Sequence, residues 1–164
     1  MENIALSGID LGKNSFHIHC QDRRGKAVYR KKFTRPKLIE FLATCPATTI
    51  AMEACGGSHF MARKLEELGH FPKLISPQFV RPFVKSNKND FVDAEAICEA
   101  ASRPSMRFVQ PRTESQQAMR ALHRVRESLV QDKVKTTNQI HAFPLGFGIS
   151  VPRGAAVISR LSTL

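Results

Sequence analysis

The sequence predicts a mixed α/β fold that is followed by one long helix. Residues 4–33 show three strand patterns joined by short turns, residues 35–101 alternate between helical and strand patterns, and residues 113–143 contain neither Gly nor Pro. Strands joined by tight turns pair antiparallel, whereas strands separated by a helix pair in parallel through right-handed crossovers. We therefore expect one mixed sheet with flanking helices and, after it, a long helix.

The chain opens with three predicted strands, Ile4–Leu11, Ser15–Gln21 and Ala27–Phe33. Gly12 and Gly25 lie in the polar turns between them, as expected of an antiparallel meander. The middle strand alternates apolar side chains on one face with His17 and His19 on the other. We interpret these two histidines as exposed polar positions.

The period of the pattern then changes. Predicted helices and strands alternate as Arg35–Leu42, Thr48–Ala54, Gly57–Leu68, Phe71–Ile75 and about Asp90–Ala101. A meander followed by α/β units is the element order of ribonuclease-H-like folds. Actin-like ATPases begin in the same order, so the element order alone leaves both folds open.

Residues 113–143 form the long helix. Four apolar residues fall on one seam, Leu122, Val125, Leu129 and Ile140, and polar residues interrupt it at Asp132, Lys133 and Thr136. This pattern indicates a candidate coiled coil, and a helix docked on its own domain is the alternative. Pro144 ends the helix. The predicted domains are therefore 1–108, the helix 113–143, and a linker-like tail, 144–164.

Charge is the first indication of function. Across 164 residues, 25 Lys and Arg stand against 14 Asp and Glu, and residues 101–164 hold 10 of the basic and 3 of the acidic ones. This excess favours a nucleic-acid partner, with a solubilising surface as the alternative. The candidate phosphate contacts are Lys85, Lys88, Arg107, Arg112, Arg120, Arg124 and Arg126.

Other features of composition exclude whole classes of protein. No run of eighteen apolar residues is present, and the start has no basic segment of a secretory signal, so we expect a cytoplasmic protein without a membrane span. The four cysteines form no CxxC pair, which favours reduced thiols.

Four acidic residues carry the candidate chemistry. Asp10 and Glu53 lie in otherwise apolar strands, where a carboxylate is costly unless it is paired or bound to a metal. Asp90 and Asp93, at i and i+3, share one helical face, although acids at a helix N-terminus are the alternative interpretation. Together the four predict a site for Mg²⁺, with Mn²⁺ as the alternative ion, in phosphodiester chemistry.

Three segments carry a family resemblance: SGIDLGK (7–13), AMEACG (51–56) and KNDFVDAEAI (88–97). Their order, spacing and flanking residues resemble the amino-terminal half of the DEDD transposases of the insertion-sequence-110 family, the relatives of Piv and MooV recombinases. The resemblance extends from residue 4 to about 149. It implies a RuvC-like domain in which Asp10, Glu53, Asp90 and Asp93 bind Mg²⁺ and catalyse strand cleavage and transfer.

The resemblance also implies partners. Family members recombine DNA, some with a structured guide RNA, so we expect a bacterial, nucleoid-associated protein that forms homo-oligomers through the long helix. Members are about twice this length, and their second half carries a serine nucleophile. We assign that role to none of Ser150, Ser159 and Ser162, and expect a truncated chain whose recombination is weak or absent.

Other functions stay open at this point. One is a non-catalytic module for nucleic-acid binding and assembly, in which the acids are structural. Another is a nuclease of the RuvC or ribonuclease H type. An actin-like ATPase would need a second phosphate loop and a far longer chain.

Overall fold

The computed structural model describes residues 4–84, 90–152 and 154. The chain divides into two compact units, Met1–Thr113 and Glu114–Leu164. The first contains a mixed sheet with helices on both faces, and the second is built around the long helix.

Six strands form the sheet of the first unit: β1 (Leu6–Leu11), β2 (Phe16–Gln21), β3 (Ala27–Phe33), β4 (Thr49–Glu53), β5 (Phe71–Ile75) and β6 (Phe108–Val109). Their spatial order is β3-β2-β1-β4-β5-β6. The meander β1–β3 is antiparallel, β4 and β5 continue the sheet in parallel with β1, and β6 is antiparallel to β5. This arrangement confirms the predicted ribonuclease-H-like fold.

The helices are α1 (Arg35–Ala43), α2 (Ser58–Glu67), α3 (Pro77–Val80), α4 (Asp90–Ala101) and α5 (Glu114–Ala142). The sequence pattern did not predict α3 or the 3₁₀ turn after it, Arg81–Phe83. Pro77 and Pro82 indicate a loop by pattern alone. Both occupy the first turn of a short helix, where the missing amide hydrogen costs nothing.

Two apolar clusters cover the two faces of the sheet. The first joins Ile9 and Met52 to Leu38 of α1 and Leu65 of α2. The second joins β4 and β5 to α4 through Ala51, Ile75, Ala96, Ile97 and Ala100. Because Ala51 and Met52 are adjacent in β4, α4 packs on the face opposite to α1 and α2.

The prediction that His17 and His19 are exposed was wrong. Both are buried, with 3% and 2% of their surface accessible. They lie on the face that α4 covers, and the ring of Phe91 meets the ring of His17 edge-on at 4.8 Å between centroids. Alternation in a strand distinguishes its two faces but does not tell whether a distant helix covers the polar one.

The two edges of the sheet are polar or short. Most of β3 is exposed, and it carries the consecutive cations Arg30, Lys31 and Lys32. At the opposite edge, β6 comprises only two residues.

The second unit consists of α5 and a short 3₁₀ helix, Phe143–Phe147. None of the described residues of α5 is buried, and Leu122 and Leu129 each expose more than three fifths of their surface. As predicted, the α-helix ends just before Pro144, at Ala142. The chain then continues into the 3₁₀ helix, which contains Pro144. Within the described ranges, no helix has the length and apolar character needed to cross a bilayer.

Candidate functional site

Asp10 and Glu53 occupy the ends of the two central strands. In the parallel pairing of β1 with β4, Ile9 is opposite Met52, so the next residues on the two strands are Asp10 and Glu53. Side chains at matching positions of neighbouring strands point to the same face, and such strands lie about 4.8 Å apart. The topology therefore brings the two carboxylates to one edge of the sheet, on the face of α4.

Gly8 allows α4 to approach this face closely. A Cβ atom at Gly8 would lie 2.3 Å from the carbonyl oxygen of Ala94 and 2.9 Å from Sγ of Cys98. Only glycine fits between the strand and the helix backbone at this point. Asp93 precedes Ala94, so the same close approach brings Asp93 toward the strand ends.

The three carboxylates interact electrostatically. Asp10, Glu53 and Asp93 are each partly buried. Burial raises the pKa of Glu53 above its usual value, and the negative charges of Asp10 and Asp93 raise it further. The structure thus brings together three of the four predicted acids, in an arrangement that opposes the ionisation of all three at once.

The donor chemistry of this cluster suits a hard divalent cation. Oxygen ligands are those that Mg²⁺ takes, and a bound dication would relieve the repulsion that raises the pKa of Glu53. Among the residues that the structure describes, no group of three or more His, Cys, Asp or Glu side chains has the geometry to hold a metal ion. The fourth predicted acid is Asp90, the first residue of α4, and its side chain lies outside the described residues.

An ion pair on the same face of the sheet as the acids links β3 to α4. Nη2 of Arg30 lies 2.6 Å from Oε2 of Glu95, and Nε of Arg30 donates a hydrogen bond to Nδ1 of His19 at 3.0 Å. Burial lowers the pKa of His19, the Arg30 charge lowers it further, and Glu95 opposes both effects. The sequence pattern did not indicate the role of Gly8 or this ion pair. A glycine inside an apolar strand was the available signal for Gly8.

The predicted phosphate contacts are distributed over both units. Lys85 and Lys88 lie outside the described residues. Arg107 is exposed in the first unit, and Arg120, Arg124 and Arg126 are exposed along α5.

Arg112 is engaged within the first unit. Its backbone amide donates to Nδ1 of His59 at 3.1 Å, and its Nη1 lies 2.9 Å from His59 Nε2. Its carbonyl accepts a hydrogen bond from Arg63. The Arg112 guanidinium therefore lies against the His59 ring, within the first unit.

Comparison with known families decides the relationship. The model of the DEDD transposase family of the IS110 type, described as "Transposase", matches residues 7–145. The chain belongs to this family. The match includes Asp10, Glu53, Asp90 and Asp93, and it confirms the resemblance seen in the sequence.

Several transposases are similar to the whole of this chain. The transposase for insertion sequence element IS1328 of Yersinia enterocolitica is 70% identical over 164 residues, which are 100% of this chain and 49% of that protein. A probable family 20 transposase of Pseudomonas aeruginosa is 45% identical over 99% of this chain and 48% of its own length. The transposase for insertion sequence element IS1111A of Coxiella burnetii is 41% identical over 94% and 43%. The chain thus spans about half the length of these relatives.

Among solved structures, Thermus thermophilus RuvC in complex with a Holliday junction substrate is similar to this chain. The TM-score is 0.41 at 11% sequence identity, and the alignment covers 65% of this chain and 99% of RuvC.

Proposed function

We propose that this chain is the metal-dependent half of a DNA transposase, and that it catalyses phosphodiester cleavage and transfer. The observation that carries the proposal is the convergence of Asp10, Glu53 and Asp93, which raises the pKa of Glu53. Structural carboxylates are usually paired with cations, whereas a partly buried carboxylate whose pKa is raised by two neighbouring acids is typical of a functional site.

The proposed ligands of the ion come from the central strands and from α4. Asp10 and Glu53 lie on the central strands, and Asp93 approaches them from α4. The fourth ligand that the family resemblance implies is Asp90. A bound Mg²⁺ or Mn²⁺ would supply the positive charge that stabilises the attacking and leaving oxygens of the phosphodiester. Gly8 and the Arg30–Glu95 ion pair position α4 over the strand ends.

Family membership supports this assignment. The order Asp, Glu, Asp, Asp along the matched segment agrees with the letters DEDD in the family's name. The similar proteins from Yersinia and Coxiella are named as transposases of insertion sequences. Since this chain corresponds to about half of each, we assign the serine nucleophile and complete recombination to the longer protein.

We assign assembly to α5. Its apolar residues are more than half exposed at Met119, Leu122, Val125, Leu129 and Val134. Burial of such side chains against a second copy would stabilise a dimer by about 25 cal/mol for each Å² removed from water. The basic excess of residues 101–164 supports DNA as a partner, with a structured RNA as the second candidate. A DNA substrate would place the protein at the bacterial nucleoid.

Metal titration of the chain as it stands tests the site. We expect saturable binding of Mg²⁺ and Mn²⁺ by calorimetry, weakened at least tenfold by Asp10→Asn, Glu53→Gln or Asp93→Asn. The matched control is Glu66→Gln, an exposed carboxylate on α2, which should bind as the wild type does. Equal binding by all four variants would contradict the metal site and favour the non-catalytic alternative.

A fusion tests the reaction. Joining this chain to the remaining half of the Yersinia relative should give metal-dependent DNA strand cleavage, because the two proteins are 70% identical over the matched half. Asp93→Asn in the fusion should abolish cleavage, and Glu66→Gln should preserve it. Cleavage that survives Asp93→Asn would exclude that acid from the reaction.

A further inference from the structure

A cavity of about 430 Å³ opens where β1 and β4 end, lined by residues that follow Asp10 and Glu53 in the chain. One wall is formed by Leu11, the last residue of β1, and by the turn that follows it at Gly12 and Lys13. Another is the segment Cys55–Gly57, which follows Glu53 and leads into α2. The residues that line these two walls therefore follow Asp10 and Glu53 closely in the chain, at the same ends of β1 and β4.

The charges that line this cavity are positive. Lys13 and Arg35 both line it and are both exposed, whereas its described lining residues include no Asp or Glu. Within the described part of the chain, neither cation forms an ion pair. The Arg35 guanidinium lies over the ring of Phe16, 5.5 Å from the centroid, which holds its charge at the cavity wall. A cavity of this charge attracts an anion.

Aromatic surface is available in the same cavity. Phe60, on the first turns of α2, lines it with 38% of its surface exposed. At Gly56 and Gly57 a Cβ atom would have no described heavy atom within 4 Å, so the backbone side of the cavity is open. Cations combined with an accessible aromatic ring are what proteins use to bind single-stranded nucleic acid, with contacts to phosphate and stacking on a base.

We propose that this cavity binds one nucleotide of a single DNA strand, adjacent to the phosphodiester that reacts at the acidic cluster. Lys13 and Arg35 contact its phosphate, and its base lies against Phe60. The proposal takes its location from the proposed function, since the reacting phosphodiester is assigned to Asp10, Glu53 and Asp93. The acids that bind a metal and the cations that bind the neighbouring phosphate lie on opposite sides of the sheet, where β1 and β4 end. The two groups of charges therefore need not neutralise each other.

The experiment measures binding of a fluorescein-labelled oligothymidylate to the full chain by anisotropy, in EDTA and across a salt series. Each phosphate contact contributes about 0.7 to the slope of log affinity against log salt for a single strand. Because Lys13 and Arg35 contact the same phosphate, we expect the double variant Lys13→Ala/Arg35→Ala to reduce that slope by about 0.7. Phe60→Leu should weaken binding about tenfold while leaving the slope unchanged, because stacking is lost without a charge.

Matched controls come from the other end of the strands, away from Asp10 and Glu53. Lys26 and Arg23 are exposed in the turn between β2 and β3, and Phe71 is 60% exposed at the start of β5. Lys26→Ala, Arg23→Ala and Phe71→Leu should bind as the wild type does. The proposal is overturned if the double variant Lys13→Ala/Arg35→Ala keeps the wild-type slope, or if Phe60→Leu binds as tightly as Phe71→Leu.

The metal-free condition separates this test from the test of the proposed function. If the proposed metal site is wrong, the salt slopes of the cavity variants in EDTA are not affected. If the cavity proposal is wrong, the metal titrations of Asp10→Asn, Glu53→Gln and Asp93→Asn are not affected. The melting temperature of the double variant Lys13→Ala/Arg35→Ala provides the folding check, because both side chains are exposed.

Discussion

Replacing Gly8 by alanine perturbs the contact that brings α4 to the strand ends. The new Cβ atom would lie 2.3 Å from the Ala94 carbonyl oxygen, whereas ordinary contacts begin at 3.4 Å, so α4 has to move by about 1 Å. Overpacking of this kind costs about 1–3 kcal/mol. For a unit of this size, we expect the melting temperature to fall by about 5–15 °C. Calorimetry or circular dichroism measures the change.

The displaced helix carries Asp93, so the metal site should also weaken. Supporting residues of metal sites are typically worth about 10- to 100-fold in affinity, and we expect a loss of that size for Mg²⁺ in Gly8→Ala. Gly146→Ala is the control, because a Cβ there has no described heavy atom within 4 Å.

A double-mutant cycle with Cys98→Ala identifies the cause of the loss. Removing Sγ relieves the contact at 2.9 Å but not the one to the Ala94 backbone. We therefore expect Gly8→Ala to remain destabilising in the Cys98→Ala background. Full recovery of stability there would show that α4 does not have to move, and would refute the reasoning.

Three further predictions concern charge and assembly. Because the folded-state pKa of Glu53 is raised, its neutral form stabilises the metal-free protein, and this stability is lost as pH rises above the ordinary value of 4.5. Glu53→Gln should thus be more stable than wild type at pH 7 without metal, by chemical denaturation; an equal or lower stability contradicts this. Arg30→Gln should raise the pKa of His19 in an NMR titration and cost about 0.5 kcal/mol, as expected of a half-exposed ion pair; an unchanged pKa would exclude the charge effect. Leu122→Glu should reduce the oligomeric mass in sedimentation, whereas Arg124→Glu on another side of α5 should not, and equal masses would argue against assembly through that seam.

The fold could be predicted because its elements have clear periods and short connections. All five longer strands and four of the helices follow from alternation, helical spacing and turn residues. The short helices between Pro77 and Phe83 were not predicted, because a segment with two prolines has the sequence pattern of a loop. Proline is nevertheless tolerated in the first turn of a helix. Errors of this kind arise where one residue type, here proline, is compatible with two local structures.

The candidate site was partly visible in the sequence. Asp10 and Glu53 could be placed at strand ends expected to be neighbours, and the parallel pairing of β1 with β4 is the structural observation that brings them together. The burial of His17 and the close packing at Gly8 could not be predicted, since both depend on α4, which lies more than 70 residues later in the chain. Likewise, nothing in the sequence pairs the Arg112 guanidinium with His59.

The edges of the sheet limit how copies of this chain can join. An edge strand has unpaired amide and carbonyl groups that can template pairing with another chain, and long, flat, apolar edges are aggregation sites. Here β3 places three consecutive cations along one edge, so two such edges repel each other, and β6 offers two residues, too few for a stable ladder. Extension of the sheet from copy to copy is therefore disfavoured at both ends, and the packed half of the chain is protected from fibre-like association while α5 presents its apolar side chains to solvent.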